Sequence, residues 1–337
     1  MLEKNRVLSL ITNRFLELII LPTEQCNFRC TYCYEDFAIG RMKSNVIEAI
    51  KTLLTHRIST LDELKISWFG GEPLLAINSI YHISHHIQDL LNKYPQVFYQ
   101  AGMTTNALLL NLETLQKLVS LGIKTYQVSL DGTEDMHNKT RPKCNGRGTF
   151  REIWCNLLAA RDSQLDFSIM LRIHVTPENI LDLYELIENI KAAFGYDSRF
   201  SLFFKAIENL GGKNAGSFKV LYGKDKEEII NKLKELVGDA LAIKNINDKG
   251  SYVCYAAQPN SLVIRADGRL SKCTVAFQDE RNVIGQIASD GTLHVNSDRL
   301  ALWIRGIKSQ ISSELSCPMY QLPSQSKIKN IPIEVSS

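Results

Sequence analysis

From Phe15 to Phe204 the chain alternates short β-rich runs with longer helix-patterned ones, and this alternation constrains its fold more than any other feature. Phe15–Leu21 (FLELIIL) reads as a buried strand, and Asn45–His56 as a helix with Ser44 as its N-cap. Leu64–Phe69 is the second strand and Ile77–Leu91 its helix; Val97–Thr104 is the third, followed by a helix over Leu112–Ser120 that Gly122 closes. Lys124–Leu130 is the fourth strand, with a polar loop from Asp131 to Gly148 and a helix over Phe150–Arg161. Phe167–Val175 is the fifth strand, Glu178–Phe194 its helix, and Phe200–Phe204 the sixth strand. Right-handed crossovers then give an α/β fold with a mostly parallel sheet. Six units fall short of the eight of a closed barrel. Periodicity permits both a partial (β/α)6 barrel and an open doubly wound sheet.

After the sixth strand the pattern changes. Leu210–Gly223 is a Gly-, Lys- and Asn-rich loop, and Lys224–Ile243 an amphipathic helix with several Glu/Lys neighbours. Beyond Asn245 come short strands: Leu262–Arg265 and Leu270–Thr274 form a hairpin about Ala266-Asp267-Gly268-Arg269, and Asn282–Ile287 leads to a turn at Asp290-Gly291. The expected organisation is a core over 1–209, a linker and helix over 210–250, and a small C-terminal α+β domain over 251–337.

Composition excludes several classes. At 337 residues, with 45% hydrophobic and 22% charged residues, the chain is neither disordered nor too small for a core. A net charge of +3 offers no nucleic-acid footprint. No stretch reaches about 18 apolar residues, so no membrane span is expected. The N-terminal segment, interrupted by Glu17 and lacking a small-residue cleavage site, reads as mature sequence. Eight cysteines are too dilute for a secreted disulfide scaffold, which leaves a reducing cytoplasm as the expected compartment. There, clustered cysteines point to metal or catalysis.

The cluster is Cys26-Asn27-Phe28-Arg29-Cys30-Thr31-Tyr32-Cys33, a C-x3-C-x2-C run. It follows the first strand, on the loop side where βα folds build active sites. Zinc usually takes four ligands from paired motifs. Three thiolates with no fourth nearby leave one metal position open, as in an iron–sulfur cluster with one iron lacking a protein ligand. A Cys3His zinc site, with His56 as the nearest following histidine, and free buried cysteines are the competing readings.

TEQCNFRCTYCY resembles the signature of radical S-adenosylmethionine (SAM) enzymes. The resemblance implies a partial (β/α)6 TIM-like barrel in which Cys26, Cys30 and Cys33 hold a 4Fe–4S cluster. The open iron would chelate SAM, whose cleavage yields a 5′-deoxyadenosyl radical that abstracts hydrogen from the substrate. Tyr32 matches the position beside the adenine. Gly70-Gly71-Glu72-Pro73 after the second strand resembles the family's GGEP, with Glu72 accepting from the SAM ammonium. Thr105-Asn106 fits after the third strand. Ser129-Leu130-Asp131-Gly132 resembles SLDG, with Ser129 facing the ribose or carboxylate. His137 and Arg141 match H-x3-R, with Arg141 as partner of the carboxylate and His137 structuring its loop. Arg172, inside an apolar strand, wants an anion, either that carboxylate or a structural Glu. Leu202 would wall the adenine, or serve as core.

Cys254 and Cys273, with Gly268 between them and Asn282-Val283-Ile284-Gly285 after, resemble the opening of SPASM and twitch domains, which hold auxiliary iron–sulfur clusters. The likeness spans roughly residues 17 to 325. A full SPASM domain ends in several more cysteines; here only Cys317 remains, and Tyr320 and Ser324 stand about where thiolates would be. Cys254, Cys273 and Cys317 would support one auxiliary cluster, or the domain kept its hairpin and lost its metal. Cys144 and Cys155 match no family position and read as bystander and core.

The resemblance implies a peptide maturase that crosslinks, epimerises or forms thioethers in a ribosomally made precursor peptide; CTYCYEDFAIGRM resembles cyclophane-forming maturases in particular. With 25 residues before Cys26, leader recognition would fall to the second domain, to the insert at 205–260 or to a separate protein. A flavodoxin or ferredoxin would donate the electron. The alternative is maturation of the anaerobic sulfatase type, although Thr274 follows Cys273 where those enzymes place a base Asp. A non-catalytic iron–sulfur sensor explains the cysteines but not the motifs at successive strand ends. Asp131, Asp279 and Glu280 are the candidate bases.

Overall fold

The computed structural model describes residues 10–244 and 252–323. Six parallel strands form the body: β1 (Phe15–Ile20), β2 (Glu63–Trp68), β3 (Phe98–Thr105), β4 (Ile123–Leu130), β5 (Ser168–Val175) and β6 (Phe200–Ala206). They lie side by side in sequence order. A doubly wound sheet needs a point where the order reverses, so that helices fall on both faces. An unbroken order puts every right-handed crossover on one face and curls the sheet around the other, which makes this a partial barrel.

The strand burial shows the two faces. In β4 Tyr126, Val128 and Leu130 are buried under the helices, while Gln127 and Ser129 are half-exposed on the concave side. The same parity puts Leu171 and Ile173 of β5 under the helices. β1 is buried on both faces, and its Glu17, 4% exposed, is held by Lys65 Nζ at 2.8 Å and the Ser261 hydroxyl at 2.7 Å.

The C-terminal strands are not a separate sheet. β8 (Ser261–Ile264) pairs in parallel with β1, and β9 (Arg269–Ser271), β10 (Val283–Ile287) and β11 (Leu293–Val295) continue antiparallel from it. With β7 (Ala242–Ile243) beside β6, the described residues make one 11-stranded sheet. The expected hairpin is β8–β9, with Gly268 at φ +85° in its turn.

Three local expectations are corrected. The first helix is Ser44–Arg57, and Lys43 occupies its cap position without a side-chain bond. Met42 N–H donates to the Pro22 carbonyl, which keeps the chain extended up to that point, so Ser44 is already inside the first turn. The polar loop after β4 contains a helix, Glu134–Thr140. It is too short and polar to show apolar periodicity, and it is anchored where Asp182 accepts from the Thr133 hydroxyl at 2.6 Å. The amphipathic helix ends at Val237, where Gly238 takes φ +56°; Ala242–Ile243 is strand, not helix. Ser324 lies outside the described residues.

Candidate active site

Because β1 to β6 are parallel, their C-terminal ends meet at one rim, and a cleft opens there. Cys26, Cys30 and Cys33 line it from the loop after β1, with Tyr32 among them. All three thiols are free. Burial raises the Cys26 thiol to about 12 and Cys33 to about 11; burial also raises Cys30, with Arg141 opposing. They are therefore neutral thiols near pH 7 and become ligands only when a metal displaces their protons. Among the described residues no three His, Cys, Asp or Glu side chains converge on a single metal ion. Three free thiols on one cleft-lining loop are the donor set a 4Fe–4S cubane takes when one of its irons carries no protein ligand.

Gly70 and Gly71 also line the cleft. Gly70 sits at φ +131°, and a Cβ there would come 2.1 Å from the Thr23 carbonyl oxygen; at Gly71 it would meet the Gln25 carbonyl oxygen at 2.5 Å. Only glycine lets the β2 rim press so closely on the cysteine loop.

Ser129, Asn106, Arg141 and Arg172 also line the cleft. Asn106 Nδ2 donates to Asn27 Oδ1 at 2.8 Å, tying the β3 rim to the cysteine loop. Arg141 Nη1 donates to the Tyr32 hydroxyl at 2.8 Å. The Nε atoms of Arg141 and Arg172 are buried without a hydrogen-bond partner. Two guanidinium groups with orphaned donors facing one cleft call for an anion, and a carboxylate matches their fork geometry. Burial lowers the pKa of Arg172 by more than Tyr34, Tyr32 and Glu208 offset.

Several expected site residues stand elsewhere. Glu72 is fully buried and does not line the cleft; its carboxylate accepts from Leu74 N–H (3.0 Å), the Thr105 hydroxyl (2.8 Å) and Asn106 N–H (2.7 Å). It clamps the β2 and β3 rims together instead of reaching for a ligand. Pro73 is buried beneath it in a one-turn 3-10 helix. Leu202 is core: in register with Leu171, it faces the helices, and Lys205 of the same strand faces the cleft. The error is one of strand parity.

None of the candidate bases reaches the cleft. Asp131 is 1% exposed and accepts from the Tyr32 hydroxyl (2.7 Å), the Thr140 hydroxyl (2.8 Å) and His174 Nδ1 (2.9 Å). Burial opposes its charge, but His174, Arg141 and His137 more than offset that and hold the carboxyl well below its usual range. Asp279 is bound to Arg281, and Glu280 is exposed. His137 is buried, its Nδ1 3.4 Å from Asp131 N–H, in keeping with a loop-structuring role.

Sequence reasoning missed Gln127, His174 and Glu35, all of which line the cleft. Gln127 and His174 each stand two residues from a predicted site residue, Ser129 and Arg172, so strand alternation could have found them. Glu35 has no such signal. Burial pushes its carboxyl up to about 8, helped by the Glu24 charge, and its Oε1 is buried without a partner.

Away from the cleft, Cys254, Cys273 and Cys317 are neighbours. Burial raises the Cys254 thiol to about 11, and the charges of the other two add to this. Tyr255 donates or accepts at the Thr274 hydroxyl, 2.8 Å away. Cys144 and Cys155 are exposed, so Cys155 is not core. No helix among the described residues is long and apolar enough to cross a membrane.

The model of the Radical SAM superfamily matches residues 20–188, half of the chain. A cysteine-type anaerobic sulfatase-maturating enzyme of Clostridium novyi (strain NT) is 24% identical over 296 residues, covering 80% of this chain and 76% of the relative. The solved structure of anSMEcpe with bound AdoMet and a Cp18Cys peptide superposes with a TM-score of 0.64 at 21% identity, over 85% of this chain and 80% of that one. Streptococcus suis SuiB bound to its precursor peptide SuiA gives a TM-score of 0.59 at 16% identity, over 85% of this chain and 66% of that one.

Proposed function

The chain belongs to the radical SAM superfamily, and from that membership we propose that it is an enzyme that modifies a ribosomally made precursor peptide by crosslinking, thioether formation or epimerisation. Cys26, Cys30 and Cys33 would hold the 4Fe–4S cluster of the family, and Arg141 and Arg172 the carboxylate of SAM. When bound, the pair supplies hydrogen-atom abstraction through a 5′-deoxyadenosyl radical; the protein binds, orients and shields. The observation that carries this reading is the meeting, in one cleft, of three free thiols and two guanidinium groups with orphaned buried donors. Asn106 and Ser129 complete the ligand wall, and Asp131 holds Tyr32 and His174 in place from behind.

A peptide substrate is supported by likeness to anSMEcpe and SuiB, each solved with a peptide bound. Phe37, Phe69 and Tyr34 add apolar surface to the cleft. Residues 1–209 would be the catalytic core, 210–250 the linker and 251–337 an auxiliary lobe in which Cys254, Cys273 and Cys317 take one further cluster. A flavodoxin or ferredoxin would supply the electron, and a separate protein could present the leader.

The second reading is protein maturation of the sulfatase-maturating type, favoured by the relationship to the Clostridium novyi enzyme. Both readings begin with reductive SAM cleavage. Anaerobically reconstituted protein given dithionite and SAM should release 5′-deoxyadenosine, and Cys26→Ala, Cys30→Ala or Cys33→Ala should release none. Turnover surviving in any of these would refute the cluster assignment. Coexpression with short peptides encoded nearby, or with a sulfatase, followed by mass spectrometry, separates the two readings.

A further inference from the structure

The C-terminal lobe grips the cysteine loop at both of its ends. On the near side, Glu24 precedes Cys26 by two residues, and its carboxylate forms a two-pronged ion pair with Arg265, which follows β8. Arg265 Nε donates to Glu24 Oε1 at 3.0 Å, its Nη2 donates to Oε2, and the Ala266 N–H adds a third contact at 3.3 Å. The pair is buried, with side chains 5% and 1% exposed. The guanidinium also lies 4.4 Å from the centroid of the Phe277 ring. On the far side, Asp36, three residues past Cys33, accepts from Gln278 Nε2 at 2.8 Å.

Such a pair costs much to desolvate. An isolated hydrophobic replacement of both partners is often as stable, so stability alone is a weak reason for it. What it does supply is directional fixing: a planar guanidinium against a carboxylate holds the chain in one orientation. The backbone it holds is the same one that carries Gln25 O against Glu72 N–H at 2.9 Å and brings Cys26 to the cleft. The lobe does this whether or not Cys254, Cys273 and Cys317 hold any metal.

We propose that Arg265 is a positioning residue for the cysteine loop, and that the C-terminal lobe acts as a brace that keeps the loop in the shape that retains its cluster. The proposal rests on the radical SAM assignment of Cys26, Cys30 and Cys33, and its test is built to separate the two.

The test uses the full chain in a C254A/C273A/C317A background, so that all bound iron reports on the loop after β1. After anaerobic reconstitution, iron and sulfide per chain, the electron paramagnetic resonance spectrum of the reduced cluster and its rate of loss to an iron chelator are measured. Arg265→Met and the paired replacement E24M/R265M are compared with the background protein. Outer-shell changes around metal sites typically weaken binding about 10–100-fold, and Arg265→Met should release iron faster by that order. E24M/R265M removes both buried charges, so its apoprotein should melt at the background temperature while still losing its cluster faster. That split separates positioning from stability. If Arg265→Met fails to fold, the paired variant alone decides. Retention of the cluster by the paired variant at the background rate, with an unaltered spectrum, would overturn the brace. A background protein that binds no cluster at all would instead overturn the family assignment of the three cysteines.

Discussion

Arg141 donates through Nη1 to the Tyr32 hydroxyl at 2.8 Å, although the two residues lie on different loops. That oxygen in turn donates to Asp131 Oδ2 at 2.7 Å, which fixes its lone pairs toward the guanidinium. The buried carboxylate thus aims an arginine without touching it. The arrangement couples Asp131 to the cleft wall although it stands outside the cleft.

Tyr32→Phe keeps the ring and removes the hydroxyl through which Asp131 and His174 reach Arg141. A hydrogen bond to a charged group contributes about 1.5–3 kcal/mol. SAM should therefore bind at least about tenfold more weakly to the reconstituted variant, measured by calorimetry, with little change in cluster content. Unchanged affinity would mean that Arg141 needs no such support.

Glu72 offers a choice between two roles. As a clamp it accepts from three donors, two of them backbone N–H groups. Glu72→Gln turns an amide NH2 toward one of those donors, at a cost of about 1–3 kcal/mol for the buried mismatch. The melting temperature should fall in the apoprotein, before any SAM is present. Intact melting with weakened SAM binding would restore the direct-contact role.

Leu202→Ala tests strand parity. The residue is fully buried under the helices, so its truncation opens a core cavity costing about 2–5 kcal/mol. Thermal denaturation should show that loss, while SAM affinity of the folded holoprotein stays at the parent value. A selective loss of affinity would place Leu202 back at the adenine.

Glu35 gives a pH signature. Its carboxyl is raised from 4.5 to about 8 by burial, then by the Glu24 charge. Between those values the folded chain holds a proton that the unfolded chain has released. The stability it contributes is present below 4.5 and is lost as pH rises through 8. Glu35→Gln stays neutral throughout, so the melting-temperature difference between variant and parent apoprotein should grow in the variant's favour from pH 5 to pH 9. His174, lowered to about 4, and His137, lowered to about 3, both chiefly by burial, work in the opposite sense but are common to both proteins. A difference independent of pH would show that Glu35 is not desolvated.

The strand–helix alternation and the cysteine spacing were legible because each is a local pattern: apolar periodicity reports which face is buried, and a short-range motif reports one loop. They determined the α/β fold and the cysteine cluster, and the family resemblance added Ser129, Asn106 and Arg141 of the cleft wall. Which way a side chain points was less legible. Leu202 and Lys205 share a strand, and only the pairing of β6 with β5 decides which of them meets the cleft. Contacts between distant segments were not legible at all. Glu24 and Arg265 are separated by most of the chain, and neither carries a local sign of its partner. The parallel seating of β8 on β1 is what brings them together, because charge pairing and desolvation are settled by distance in space and not by distance along the sequence.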